Sequence, residues 1–320
     1  MTTLEIINYG VMTIFFFVVG LEIKRELTSG HLTTLRKAAA PFLAAIGGMA
    51  VPAIIYLAIA GRTAPEGWAI PVATDIALAV GLLVLMGARA TESLKTFLLA
   101  LAVIDDIGAI IIIALVFTAG AVISWLFAAI GAIVIVLLLQ RFKAIKTFPY
   151  IAIGLLLWFT LFKAGLHPTL AGVVMGLLTP VKEITRLEEK LHRVSAYFVV
   201  PLFAFANSGI SLSSKTLNLA FTSPIAWGII VGLVIGKPLG VFAAATGAAR
   251  VQIVQLPAET TRSSLLAVGS TAGIGFTVAI FIAKLAFTDR ALADLAVIAV
   301  MAGSIISGLI GVALFRLVRP

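Results

Sequence analysis

Residues Leu99–Ile113 read LALAVIDDIGAIIII, and two adjacent carboxylates, Asp105 and Asp106, lie in the middle of this stretch. All the other residues in it are apolar or glycine. Such a stretch suits the hydrocarbon core of a bilayer, where an ionisable side chain is costly unless it is paired or hydrated. The stretch therefore predicts a membrane-spanning helix with a functional site at its centre.

The composition of the whole chain favours a membrane environment. Of 320 residues, 61% are hydrophobic and 12% are charged, whereas a soluble domain is about half apolar and about a quarter charged. The chain contains no cysteine, which excludes disulfides, thiol chemistry and cysteine-ligated metals. We therefore predict an all-α polytopic membrane protein that forms one domain over residues 1–320 and has no cofactor.

Apolar segments of about spanning length recur from one end of the chain to the other. The eleven predicted spans are 4–23, 38–60, 67–88, 94–118, 121–140, 147–163, 166–180, 194–212, 224–248, 264–287 and 292–315. The seventh is short, since about 15 residues rise only about 22 Å in a helix.

The distribution of Lys and Arg favours a crossing by all eleven segments. In that arrangement seventeen basic residues face the cytoplasm and five face the outside, as the positive-inside rule requires. The N-terminus is then outside and the C-terminus is cytoplasmic. This bias accounts for the net charge of +9 without nucleic acid as a partner.

Four ionisable residues lie within the predicted spans, namely Asp75, Asp105, Asp106 and Lys237. One interpretation is a structural ion pair that locks two helices together. Three acids and one base leave negative charge unmatched, which favours a cation or proton site. Two close carboxylates repel, so one tends to keep a proton until a cation displaces it. Carboxylate oxygens suit a hard cation rather than a transition metal.

Two of the predicted spans carry signals for a break in the helix. Pro71 and the polar pair Thr74 and Asp75 lie in GWAIPVATDIALAVG, and Gly273, Gly275 and Thr277 lie in STAGIGFTVAIF. Proline removes a backbone donor, and unwound backbone is tolerated at membrane depth where it is buried in protein. The alternatives are a simple proline kink and glycines that serve close helix packing.

The two breaks occupy corresponding positions in two groups of three spans. Each break lies in the middle span, and the groups begin on opposite sides of the membrane. We therefore predict inverted repeats over about 38–118 and 224–315, a pattern that points to a transport site at the interrupted helices.

Seven motifs, in order along the chain, resemble those of the NhaA family of Na⁺/H⁺ antiporters. They are FFFVVGLEIKREL, EGWAIPVATDIALAVG, LALAVIDDIGAIIIIAL, HPTLAGVVMGLLTP, VPLFAFANSGISL, IGKPLG and GIGFTVAIFIA. The resemblance runs from about Phe15 to the C-terminus. Inverted repeats and interrupted helices belong to the fold of this family, so the resemblance implies an NhaA-like antiporter fold.

The resemblance also implies an activity and a site. It implies a secondary antiporter of the bacterial inner membrane that expels Na⁺ or Li⁺ and admits more protons than metal ions per cycle, serving pH and sodium homeostasis. Asp106 matches the main cation ligand of the family, and Asp105 matches the acid that pairs with Lys237. Thr74 and Asp75 match the polar residues where the interrupted helices cross.

A regulatory cluster and a homodimer are further implications of the resemblance. The residues that match the pH-sensing cluster at the cytoplasmic face are Glu22, Arg25, Glu26, Arg186, Glu188 and Glu189. Charged residues are also common at such helix ends without any sensing role, and His167 and His192 are expected to be loop or interface residues. Family members carry an additional helix before the one that begins this chain, followed by a hairpin that contributes to the dimer.

Other function classes are compatible with some of these residues. An intramembrane aspartyl protease needs two Asp residues on separate spans, but this chain has no Gly-x-Gly-Asp motif. A Na⁺-coupled solute symporter usually needs a polar pocket, and the spans contain few Asn, Gln or Arg residues. In a passive channel, a buried Asp–Lys pair would obstruct the pore.

Overall fold

A computed structural model describes residues 3–30, 32–118, 120, 122–142, 147–207, 221–256 and 260–317, and no β-strand occurs among them. The helices in chain order are α1 (Ile6–Thr28), α2 (Leu35–Ala60), α3 (Ile76–Leu85), α4 (Glu92–Val116), α5 (Ile123–Arg141), α6 (Thr147–Ala164), α7 (Leu170–Leu178), α8 (Val181–Val194), α9 (Val200–Asn207), α10 (Pro224–Arg250), α11 (Arg262–Ala272), α12 (Phe276–Ala286) and α13 (Arg290–Leu317). The predicted all-α class is confirmed.

Eight of the described helical segments are long and apolar enough to cross a membrane, and α11 and α12 together make a ninth. One of the eight, Pro65–Leu85, consists of a 3₁₀ helix followed by α3. Two of the eleven predicted spans are not among them. In the seventh, α7 has only nine residues and rises about 14 Å. In the eighth, the described part ends at Asn207, and residues 208–212 lie outside the described ranges. These two crossings, and the orientation that depends on them, stay predictions.

The first predicted break is present. A 3₁₀ helix over Pro65–Val72 precedes α3, and Ala73 and Asp75 between them have extended backbone. A continuous helix with a proline kink would have helical backbone at these residues, so that alternative is wrong. Asp75 is the N-cap of α3 because its carboxylate accepts a hydrogen bond from the backbone N–H of Leu78.

The second predicted break is also present. Helix α11 ends at Ala272, α12 begins at Phe276, and the two are bent by 49° across residues 273–275. Both half-helices are lined with buried residues, so the unwound backbone is covered by protein. The polar backbone groups freed at such a break must find partners in neighbouring elements.

The chain forms two units, one from Met1–Gly30 and Ile110–Asn207 and the other from His31–Ala109 and Ser208–Pro320. In the first unit α1 packs along α7, and the backbones approach closely where Gly20 faces Gly176. The inverted repeats and the assignment of the chain to one domain stay predictions.

In the second unit α10 packs against α2. A Cβ atom on Gly240 of α10 would collide with the backbone of Gly47, so only glycine allows this close approach. Small residues at helix contacts are typical of membrane proteins. This contact seats the helix that carries Lys237, which is completely buried.

Candidate functional site

The ionisable residues predicted within the spans are all buried in the second unit. Thr74, Asp75, Asp105, Asp106 and Lys237 are each between 0% and 4% exposed. The two interrupted helices supply part of the site, while α4 supplies the two adjacent acids and α10 supplies the base. The structure therefore brings together residues from four separated parts of the sequence.

Asp105 and Lys237 form a fully buried ion pair. The Lys237 Nζ atom lies 2.6 Å from Asp105 Oδ2, and neither side chain is exposed. Lys237 also donates a hydrogen bond to the carbonyl of Val72 at the end of the 3₁₀ helix. A cation at this position offsets the partial negative charge of a helix C-terminus. The contact links the base to the first interrupted helix as well as to the acid.

Thr74 connects the ion pair to the second interrupted helix. Its Oγ1 lies 2.7 Å from Asp105 Oδ2 and 2.8 Å from the carbonyl oxygen of Ala272. A hydroxyl carries one proton, so Thr74 donates to one of these acceptors at a time. Among the described residues, the Oδ1 atom of Asp105 has no hydrogen-bond partner. Asp105 thus keeps one buried oxygen available for another ligand.

Asp75 binds the N-termini of both half-helices that face the crossing. Its Oδ1 accepts from the Leu78 N–H of α3 at 3.1 Å. Its Oδ2 accepts from the Thr277 N–H of α12 at 3.2 Å and from the Thr277 hydroxyl at 2.6 Å. The two helix N-termini carry partial positive charge, which the carboxylate offsets. The backbone N–H of Asp75 completes the crossing by donating to the Ile274 carbonyl at 2.6 Å.

Asp106 follows Asp105 on α4 and is also buried. Consecutive side chains on a helix point about 100° apart, so the two carboxylates leave the helix in different directions. Among the described residues of this unit, the buried ionisable groups are three acids and one base. The described residues contain no group of three or more His, Cys, Asp or Glu side chains that could hold a metal ion. Backbone, hydroxyl or water oxygens would have to complete the coordination of a cation here.

Thr277 was predicted as part of the second break, but not as a site residue. It lies next to the Gly-x-Gly break but contacts Asp75, which is 202 positions away in the chain. Its position beside a predicted break was the available signal. Nothing in the local sequence indicates which acid its hydroxyl binds.

The predicted cytoplasmic cluster lies in the first unit, and the structure assembles most of it. Arg25 of α1 forms an ion pair with Glu188 of α8 and lies 3.3 Å from Glu26. The His192 imidazole lies 3.3 Å from Glu22, so a residue expected to have only a loop or interface role belongs to this cluster. We define the cytoplasmic cluster as these five residues.

Arg186 and Glu189 do not join the cytoplasmic cluster. Arg186 is 84% exposed and lies 3.9 Å from Glu183 on its own helix, and Glu189 is exposed. Helix α8 is strongly amphipathic, and its buried residues are Ile184 and Glu188. Residues four apart share a helix face, which is why Arg186 and Glu189 point away from α1.

Burial and neighbouring charges shift the titration of two members of this cluster. Burial raises the pKa of the Glu188 carboxyl above its usual range, although the Arg25 guanidinium opposes the shift. The hydrogen bond to Glu22 raises the pKa of the His192 imidazole above its usual range. Both groups therefore hold a proton more readily than an exposed Glu or His does.

Comparison with known proteins gives one consistent family. A family model described as Na⁺/H⁺ antiporter 1 matches residues 1–315. The chain is 48% identical over 325 residues to the Na⁺/H⁺ antiporter NhaA of Escherichia coli O139:H28 (strain E24377A / ETEC), an alignment that covers 98% of this chain and 84% of the relative. The NhaA antiporter of Shigella boydii serotype 4 (strain Sb227) has the same identity and coverage.

Proposed function

The chain belongs to the Na⁺/H⁺ antiporter 1 family, and from this premise we propose that Asp105 and Asp106 form the site at which Na⁺ and protons compete. The protein is a Na⁺/H⁺ antiporter of the inner membrane with several membrane-spanning helices. Neither an intramembrane protease nor a solute symporter finds support in these relatives. The residues that carry out the exchange, and the direction of transport, are our proposals.

The observation that carries this proposal is the buried charge imbalance around the helix crossing. Three carboxylates and one ammonium group share this region of the second unit, and buried charges are costly unless they are compensated. Protons or a Na⁺ ion can each compensate the excess negative charge. Because the same carboxylate oxygens receive either one, binding of the first excludes the second. This exclusion couples the movement of Na⁺ to the movement of protons.

Lys237 and Asp75 have different roles in the proposed exchange. Lys237 neutralises Asp105 while no metal ion is bound, and Na⁺ takes over that role when it enters. Asp75 and Thr74 hold the two interrupted helices at the crossing, so they transmit a change at Asp105 to both half-helices. More than one proton can replace one Na⁺ because more than one carboxylate is available. We propose that the antiporter admits more protons than it expels metal ions.

The remaining features of the proposal rest on the resemblance and on charge placement. Na⁺ leaves the cytoplasm and external protons enter, with the N-terminus outside and the C-terminus inside. Li⁺ is a second cargo, since hard oxygen ligands suit it as well. The bilayer covers exposed apolar side chains such as Leu85, Phe148 and Phe205, and a homodimer is the proposed assembly.

We also propose that the cytoplasmic cluster senses pH. Its support is the proximity of two groups with raised pKa values, Glu188 and His192, to fixed partners on α1. Proton loss from either group as the pH rises changes the charge between α1 and α8. Arg186 and Glu189, which the resemblance placed in this cluster, point away from α1 and are left out of the proposal.

The function is tested with everted membrane vesicles that hold a respiratory pH gradient. Addition of Na⁺ should collapse the gradient in vesicles with the wild-type protein and leave it unchanged with Asp106→Asn at equal expression. The matched control is Asp294→Asn, since Asp294 is an acid of the same unit that pairs with Lys284 away from the crossing. Near-normal exchange by Asp106→Asn would refute the assignment of the cation site.

A further inference from the structure

The N-terminus of α12 needs hydrogen-bond acceptors from outside the helix. The first N–H groups of any helix have no partner within it, and the N-cap here is Gly275, which has no side chain. Gly275 is buried, so water does not readily satisfy its N–H. Asp75 accepts from the N–H of Thr277, which leaves the N–H groups of Gly275 and Phe276 to be satisfied by another group.

Ser304 of α13 supplies that acceptor. Its Oγ lies 3.2 Å from the backbone nitrogen of Gly275 and 3.2 Å from that of Phe276. A hydroxyl oxygen has two lone pairs, so one oxygen accepts both hydrogen bonds. Ser304 is 5% exposed and lies 28 and 29 positions from the residues it binds. It acts as an N-cap side chain delivered by a neighbouring helix.

We propose that Ser304 is a positioning residue for the cation site, a proposal that rests on the proposed function. Its hydroxyl fixes the start of α12, and this position lets Thr277 present both its N–H and its hydroxyl to Asp75 Oδ2. Thr74 directly precedes Asp75 in the chain, and its hydroxyl lies 2.7 Å from Asp105 Oδ2. Within the described part of the chain, the hydrogen bonds of Ser304 are to Gly275 and Phe276 and not to the acids of α4 or to Lys237, so it acts through the crossing.

Ser304 and Asp75 accept hydrogen bonds from different N–H groups of the α12 N-terminus: Ser304 from Gly275 and Phe276, and Asp75 from Thr277. Without the hydroxyl of Ser304, the N–H donors of buried Gly275 and half-buried Phe276 lose their acceptor, and buried donors are costly to leave unsatisfied. The carboxylate of Asp75 already binds this N-terminus, so the donors compete with Thr277 for it. A shift of this kind moves the break at residues 273–275 and the end of α11. The Ile274 carbonyl in the break accepts from the Asp75 N–H, and the Ala272 carbonyl at the end of α11 lies within hydrogen-bond distance of Thr74 Oγ1.

Three variants separate this role from a loss of stability alone. Ser304→Ala removes the acceptor. Ser304→Thr keeps a hydroxyl, and its extra methyl group has space because Ser304 lines an apolar groove of about 620 Å³. Ser264→Ala is the matched control, since Ser264 is a buried serine of the same unit whose hydroxyl belongs to the capping box at the other end of α11.

The experiment measures Na⁺-dependent exchange in proteoliposomes as a function of Na⁺ concentration, together with the Na⁺-induced shift of the melting temperature in detergent. Ser304→Ala should raise the Na⁺ concentration for half-maximal exchange by about three- to tenfold, the effect of one net hydrogen bond, with a smaller change in maximal rate. It should also reduce the Na⁺-induced shift. Ser304→Thr should stay within about twofold of the wild type, and Ser264→Ala should lose stability without a change in half-maximal concentration.

The outcomes distinguish this proposal from the function on which it rests. If the wild type shows no Na⁺-dependent exchange, the proposed function fails. If the wild type exchanges and Ser304→Ala has an unchanged half-maximal Na⁺ concentration, Ser304 is only structural and the positioning role is refuted. If Ser304→Ala does not accumulate, Ser304→Cys provides the test, because its sulfur is a weaker acceptor of similar size. That variant should raise the half-maximal concentration, and an unchanged value would overturn the proposal.

Discussion

At the scale of single residues, the proposed exchange depends on the buried pair of Asp105 and Lys237. The two side chains have no exposure, and Lys237 has a second acceptor in the carbonyl of Val72. Truncating one member of a buried pair leaves the other charge uncompensated. Anything that takes the place of Lys237 beside Asp105 must therefore carry positive charge.

We predict that Lys237→Ala lowers the stability of the protein in detergent by about 3–5 kcal/mol, the usual cost of an unpaired buried charge. Asp105→Asn in that background should restore part of the loss because it removes the orphaned charge. Thermal unfolding of the two single variants and the double variant measures the coupling. Lys284→Ala, which breaks a partly exposed pair with Asp294, is the control and should cost about 1 kcal/mol or less. Simple additivity of the two losses would count against the pair.

Four residues of the site could be predicted from the sequence because they are ionisable residues within apolar segments. Asp75, Asp105, Asp106 and Lys237 stand out because a span should contain no charge. The contacts of Thr277 could not be predicted in this way, since hydroxyl side chains are ordinary in membrane helices and satisfy local carbonyls. Only the fold shows that its hydroxyl reaches Asp75 across 202 positions.

At the scale of helices, the two interruptions and the close approach of α2 to α10 set the geometry of the site. Pro71 and the Gly-x-Gly sequence predicted the interruptions because each weakens a helix locally. The partners of the freed backbone groups come from other helices, such as the Ser304 hydroxyl from α13. Those partners depend on packing between distant elements, which no local pattern encodes.

The contact between α2 and α10 gives a test with a matched control on one helix. A Cβ atom at position 240 would collide with the backbone of Gly47, whereas one at position 247 would meet nothing within 4 Å. Gly240→Ala should therefore separate the helices, lower the melting temperature and impair exchange, since α10 carries Lys237. Gly247→Ala should be neutral or slightly stabilising, because alanine favours a helix by about 0.5–1 kcal/mol over glycine. Equal melting temperatures for the two variants would show that the close approach is unimportant.

The contact between α1 and α8 should depend on pH through His192. Its pKa is raised by the hydrogen bond to Glu22, so the folded state binds the proton more tightly than the unfolded state. The stabilisation is then fully present below the unfolded pKa of about 6.5 and is lost as the pH rises through the raised folded value. We predict that His192→Gln makes the melting temperature less dependent on pH between about 6 and 8.

The control for this measurement is Arg193→Gln, which removes an adjacent exposed cation that stays charged over the same range. That variant should keep the pH dependence of the wild type. A His192→Gln variant with the full pH dependence of the wild type would remove His192 from the proposed sensor and leave Glu188, whose pKa is raised by burial, as the group to test.

At the scale of the whole molecule, composition and charge predicted a polytopic helical membrane protein, and this class is confirmed. The number of crossings was less predictable. Hydropathy treats 166–180 as one apolar segment, yet α7 covers only the nine residues Leu170–Leu178. It begins after Thr169, and Thr179 and Pro180 follow its end. Hydropathy averages over such an end, while helix length depends on individual residues. The topology of the seventh and eighth segments therefore still rests on the positive-inside distribution.

For the antiporter as a whole, we propose that Na⁺ and protons compete for the carboxylates of Asp105 and Asp106. The most direct test measures the Na⁺ concentration for half-maximal exchange at several pH values in proteoliposomes without an imposed gradient. If protons must leave before Na⁺ binds, this concentration should rise as the pH falls, by up to about tenfold per pH unit for each proton displaced. A half-maximal Na⁺ concentration that stayed constant across the titration range would contradict direct competition at these two carboxylates.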